Sequence, residues 1–244
     1  MEEVNAFASQ YHEDSFATVE VNGESYLKTY KISMSHLGKF RNHCPLFHES
    51  LANQFEDEDD NHHSRLLNLY FESSEDVFEL FLFWVSESRL PDLTADLGGE
   101  DETAKDERAG KLQDTLTELW LFADDYSIRK LQNDTMRSLL EFLGSSHVRP
   151  GQLREPLKLP RESQLQRAMM LEVAYDLLQG VYTATEENDF AELNAFFPPF
   201  VALSKGDGPL DPRKTSPSIY FARGGDISAF LVPEDNNEFR RLGG

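Results

Sequence analysis

The sequence holds a single cysteine, Cys44, so no disulfide can form within the chain. A lone thiol suits a reducing compartment, and the chain is expected in the cytoplasm, the nucleus or both. Basic residues are scarce: 23 Lys and Arg stand against 44 Asp and Glu, a net charge of −21. A phosphate backbone or an anionic lipid surface repels such a chain, so neither nucleic acid nor membrane is an expected partner. Long apolar runs are missing too. The longest, near Leu80–Val85, falls far short of the ~20 residues a bilayer span needs. The acidic opening MEEVNAFASQYHED has none of the apolar core of a signal peptide. Apolar residues make up only 39% of the 244, so one core with polar extensions is expected rather than two full domains.

Signatures of catalysis and cofactor binding are equally sparse. There is no G-x-S-x-G elbow, and Gly206-Asp207-Gly208 lacks the third glycine and the strand–helix context of a phosphate cradle. His43, Cys44, His48, His62 and His63 contain metal-ligating groups, but zinc sites pair two close ligands with a second spaced pair. Asp57–Asn61 begins like a calcium loop, yet His62 stands where the glycine belongs and Asn68 where the closing Glu belongs. The reading is therefore no enzyme, no cofactor and no metal. Asn133-Asp134-Thr135 matches the glycosylation pattern and reads as incidental in an unsecreted chain. The closing Arg-Arg-Leu-Gly-Gly echoes the end of ubiquitin, behind a chain of a different pattern.

What is present is an ordered series of elements. Phe16–Val21 alternates, with Ala17, Val19 and Val21 on one face; Asn22-Gly23 then predicts a tight hairpin turn, and Glu24–Tyr30 the return strand. Ile32–Phe40 reads as a short helix capped by Ser33, and Pro45–Phe55 as a second. Ser64–Phe71 reads as a third strand after the acidic loop 56–63. Glu75–Leu90 follows, capped by Ser73 or Ser74. Val77, Phe81, Trp84 and Val85 make its main stripe, and Phe78, Leu80 and Leu82 fill most of the remaining circumference, the mark of a helix packed between layers. The stretch 92–109 has the composition of a disordered acidic insertion. Helices are expected from Lys111 through Ala123, over Ile128–Leu143 to the stop at Gly144, and from a Ser163–Gln166 capping box to Gln179. A last one runs from a Thr185 cap to Phe196, stopped by Pro198-Pro199.

The words FATVEVNGESYLKTYKISMSHLGKF, CPLFHESLANQF, RLLNLYFESSEDVFELFLFWVSESRL and LTELWLFADDYSIRKLQNDTMRSLLEFL, in that order, resemble the BTB/POZ domain, of the divergent type common in fungi. The resemblance implies an α+β fold: a small three-stranded sheet with a cluster of about five to six helices, plus a helical C-terminal extension. It divides the chain into a disordered N-terminus 1–14, a BTB/POZ domain 15–143, a linker and helical extension 144–200, and a flexible tail 201–244. Two departures stand out. The family's early Asp falls near Ala17 or Thr18, and its His-Lys pair reads Tyr30-Lys31.

The same resemblance implies a protein–protein interaction module. Val19, Ile32, Leu37 and Phe40 match the surface through which BTB domains pair, so a homodimer is expected. Phe55 and Asp57 match the hydrophobic-x-acid pattern of members that recruit a cullin, which implies an adaptor bringing an unidentified client to a cullin-RING ubiquitin ligase. The alternative is a dimeric scaffold or transcription-associated co-regulator without a cullin. A Skp-like adaptor shares the fold and the acidic balance, but the Asn-Gly hairpin and the LFADDYSI word argue against it.

Overall fold

A computed structural model of the chain describes residues 16–23, 26–33, 39, 70–94, 102–160, 163–206 and 210–234. The fold is mixed α+β and mostly helical. The strands are β1 (Phe16–Gly23), β2 (Tyr26–Ser33) and β3 (Tyr70–Glu72), in the order β2-β1-β3. The helices are α1 (Glu75–Glu87), α2 (Glu102–Asp125), α3 (Arg129–Leu143), α4 (Gln164–Gln179), α5 (Ala184–Glu192), α6 (Phe197–Ser204) and α7 (Pro217–Ala222). Short 3-10 turns lie at Pro150–Leu153, Pro156–Lys158 and Ser228–Phe230. The chain forms two compact units: Met1–Leu93 with Glu118–Asp134, and Thr94–Thr117 with Thr135–Gly244.

In the first unit β1 and β2 pair antiparallel and β3 joins β1 in parallel, with Glu20 opposite Tyr70. The hairpin register departs from the tight Asn-Gly turn. Gly23 pairs with Tyr26, so Asn22 and Gly23 belong to the strand. The reason is burial. A two-residue turn at Asn22-Gly23 would set Ile32 opposite Glu13, a charged residue ahead of β1. The observed register sets it opposite Ala17, beside the Val19–Tyr30 pair, where it is buried. Either register keeps the same alternate residues of β2 on the inner face, so the choice is made by how far the strands overlap. Ile32 and Ser33 accordingly end β2; they do not open a helix. Lys39 is helical. The N-terminus 1–14, the expected helix at Pro45–Phe55 and most of the third strand, 64–69, lie outside the described residues.

The inner face of the sheet, Val19, Val21 and Ile32, packs with α1, which buries Val77, Phe78, Leu80, Phe81, Phe83, Trp84 and Val85. Leu119, Phe122 and Ala123 of α2 and Leu131 of α3 complete this core. A run of ring contacts crosses it: Tyr30–Phe78 at 4.9 Å between centroids, Phe78–Phe81 at 5.9 Å, Phe81–Phe122 at 5.1 Å and Phe122–Tyr126 at 4.6 Å. Ser74 is the N-cap of α1, but its hydroxyl donates to Glu118 Oε2 at 2.8 Å and leaves the helix end to the acidic Glu75 and Asp76. Ser88 closes α1 in the left-handed conformation, φ 55°, ahead of the expected end at Leu90.

The second unit takes in stretches read as polar extensions of a single core. α2 begins at Glu102, inside the stretch read as disordered and ahead of Lys111. Arg149 supplies a reason: its guanidinium donates to the Asp106 carbonyl at 3.0 Å and pairs with the Asp106 carboxylate at 3.2 Å, while Gln152 Nε2 donates to the Gly110 carbonyl at 3.0 Å. These bonds come from the segment read as a linker, which also buries Val148 and Leu153. α4 follows and is buried on most sides, from Leu165 through Ala174 apart from Arg167. Ser163 is its N-cap without forming the capping box. The box forms one helix later: Thr183, rather than Thr185, caps α5, with Glu186 as its partner. Pro198 and Pro199 do not end a helix. They lie in the first turn of α6, where a missing N–H costs nothing. Residues 210–234, read as a loose tail, carry α7 and bury Ile227 and Phe230.

Candidate functional site

Val19 and Ile32, expected at a dimer surface, are both buried in the core of the first unit, 0% and 4% exposed. Leu37, Phe40, Phe55 and Asp57 lie outside the described residues, as do His43, Cys44, His48, His62 and His63.

What β2 does present is its outer face. Among the described residues it is an edge strand, and Leu27, Thr29 and Lys31 alternate outward from the core-facing Lys28, Tyr30 and Ile32. Leu27 is 61% exposed, the most exposed large apolar side chain among the described residues. An edge strand carries unpaired backbone groups, and an apolar residue beside them adds area for a partner to cover. Sequence reasoning passed over Leu27. The signal was there: it is the one apolar residue on the outward-facing set of β2.

A charged cluster tethers this strand. Lys28 Nζ pairs with Glu75 and with Glu79, the latter at 3.1 Å, and Tyr30 Oη donates to Glu79 at 3.3 Å. Partial burial works against the Lys28 ammonium, but the two glutamates outweigh it and hold its pKa above the usual lysine range. Burial, then the Glu79 charge, push the Tyr30 phenol up. The cluster carries no nucleophile–base arrangement; it fixes the hairpin to the start of α1.

The second unit contains a groove of about 910 Å³. Arg154, Glu155, Lys158, Asp189 and Glu192 line it, with Ala195, which is in the left-handed conformation, φ 66°. Lys158 pairs with Glu155. Charges of both signs around an open groove can hold a polar segment, and they lack the grouping a reaction needs.

Close by in sequence, His147, Asp176, Tyr182 and Glu186 form a cluster that suggests chemistry at first sight. Tyr182 Oη donates to the Val148 carbonyl at 2.8 Å and its ring meets His147 and Phe190 edge-on, at 5.5 and 4.8 Å. Burial pushes the Asp176 carboxyl up to about 6, and burial with the Asp176 charge pushes the Tyr182 phenol well above its ordinary range. A phenol bonded to a backbone carbonyl and held neutral ties the linker to the end of α4; it is placed as a structural strut.

Among the described residues, no group of three or more His, Cys, Asp or Glu side chains could hold a metal ion. No helix there is long and apolar enough to cross a membrane. No protein-family model matches the chain, and neither a curated protein nor a solved structure gives a significant match.

Proposed function

We propose that this chain is a non-enzymatic protein–protein interaction module of the BTB/POZ type, which pairs with a second copy of itself and acts as an adaptor. The observation that carries the reading is the order of the described elements from β1 to α3. An antiparallel hairpin comes first, then a strand parallel to β1, then a helix buried almost all round, then the helices α2 and α3. The family resemblance rests on this order with two short helices between the hairpin and the third strand, where residues 34–69 lie outside the described residues apart from Lys39. The departures at Ala17, Thr18 and Tyr30-Lys31 leave the pairing surface to other residues, and the exposed Leu27 on the edge strand β2 is the apolar group best placed to take part. In its specific form the adaptor recruits a client to a cullin-RING ubiquitin ligase through Phe55 and Asp57.

Light scattering of the purified full chain tests the pairing. A mass of twice the chain, reduced to a single chain by Leu27→Asp, is the expected result. A wild-type monomer at micromolar concentration overturns the homodimer. A dimer that retrieves no cullin points instead to the scaffold or co-regulator.

A further inference from the structure

The carboxylate of Glu172, on α4, is 3% exposed and has no use in the function proposed above. It faces the start of α7. The Ser218 N–H donates to Glu172 Oε1, the Ser218 hydroxyl lies 3.1 Å from Oε2, and the Ser216 and Ser218 hydroxyls are 2.9 Å apart. Ser216 also caps α7, its hydroxyl accepting from the Ile219 N–H at 3.3 Å. These contacts join two parts of the chain 46 residues apart. Around them the segment Leu210–Glu234 seats Phe230, fully buried, with the Arg167 guanidinium 5.9 Å from its ring centroid.

A buried carboxylate is normally matched by a cation. Among the described residues the neighbouring charges are of the wrong sign or engaged elsewhere. Asp176, one turn along α4, adds negative potential, and the Tyr182 phenol also feels the Glu172 charge. Arg213 and Lys214, just ahead of α7, are paired with Asp211. Across from Glu172, Ser216, Pro217 and Ser218 offer hydroxyls and one N–H but no full positive charge.

We propose that the Glu172–Ser218 contact is a pH-sensitive latch: it holds Leu210–Glu234 on α4 while the Glu172 carboxyl is protonated and loosens as that group ionises. The electrostatics agree with the geometry. Burial, only partly offset by the Ser218 and Ser216 hydrogen bonds, pushes the carboxyl from its ordinary 4.5 up to about 7. Because the docked state raises the pKa of an acid, docking is strongest below the free value. It weakens as pH rises from about 4.5 through about 7, and is constant beyond that. The protonated carboxyl donates its own proton to a serine hydroxyl and still accepts the Ser218 N–H; the ionised one needs a cation that the described residues around it do not supply.

Amide hydrogen exchange on the full chain, corrected for the intrinsic pH dependence, tests the latch. Protection of residues 216–222 is expected to fall on the order of a hundredfold between pH 5 and 8, while α3 keeps its protection. Glu172→Gln, which mimics the neutral acid, is expected to flatten that fall, and Asp176→Asn to leave it in place. Protection unchanged with pH, a fall shared equally by α3, or a fall retained by Glu172→Gln overturns the proposal. A direct NMR titration of the Glu172 side chain in the wild type decides the matter even where the variant fails to fold: a midpoint near 7 supports the latch, and one in the ordinary carboxyl range overturns it.

Discussion

The indole Nε1 of Trp84 donates to the Asp134 carboxylate at 2.9 Å, joining the centre of α1 to the first turns of α3. Trp84 is fully buried, and Lys130 lies 5.9 Å from its ring centroid. The bond falls inside the Asn133-Asp134-Thr135 pattern, where Asn133 and Thr135 are buried at 2% and 0%. A glycan on Asn133 is incompatible with this packing, so the motif is part of a core.

Trp84→Phe removes the indole donor and some ring volume, and leaves the Asp134 acceptor short of a partner. It is expected to cost about 2–4 kcal/mol of stability, read from the urea midpoint. Adding Asp134→Ala is expected to cost less than the sum of the two single changes, and strict additivity would show that the bond is energetically silent.

Phe55→Ala and Asp57→Ala test the specific adaptor reading. Each is expected to reduce co-purification of the N-terminal part of a cullin at least tenfold while leaving thermal stability and the dimer unchanged. Retention of the cullin by both variants, or no binding by the wild type at micromolar concentration, removes the cullin from the reading.

Thr183→Ala removes the hydroxyl that accepts from the Glu186 N–H at 3.3 Å and leaves the other half of the box, the backbone N–H at position 183 donating to Glu186 at 2.9 Å, unsupported. The expected loss is about 1 kcal/mol. Thr185→Ala, at the position the sequence pattern favoured, is expected to change stability by less than half of that. Equal losses would place the cap wrongly.

Asp176 carries a carboxyl raised by burial to about 6 from an ordinary 3.8, so folding favours its protonated form. Its ionisation subtracts stability as pH rises from about 4 through about 6. Asp176→Asn is therefore expected to raise the melting midpoint at pH 7.5, with the gain shrinking toward zero near pH 4. A gain that is the same at both pH values would mean that the carboxylate charge is not the cause.

Much of the first unit could be read in advance, and particular residues show why. Val19 and Val21 alternate, and Val77, Phe78, Phe81, Trp84 and Val85 ring a helix; both patterns report burial through spacing alone, whatever lies opposite. The existence of α1 and α3 follows from such local periodicity, and Gly144 marks where α3 stops, whereas the α+β class was implied by the family resemblance. Register does not follow. An Asn-Gly pair signals a turn by its φ preference, but the position of the turn was decided by Ile32 reaching its place beside Val19, a contact across strands.

The second unit lies further from what spacing can report. Glu102–Gly110, the linker and Leu210–Glu234 are polar, and polar composition alone reads as disorder. Their order comes from side chains meeting partners far along the chain: Arg149 with Asp106, Tyr182 with Val148, Ser218 with Glu172. The charge, the single thiol and the apolar faces of the long helices were legible from the chain alone, because these are properties of residues and their spacing. That Val19 and Ile32 are core, that Leu27 is left outside on β2, and that a carboxylate lies buried under the C-terminal segment were settled by contacts between distant residues. Each of those depends on which groups meet, and the free energy of burying a group is set by its partners.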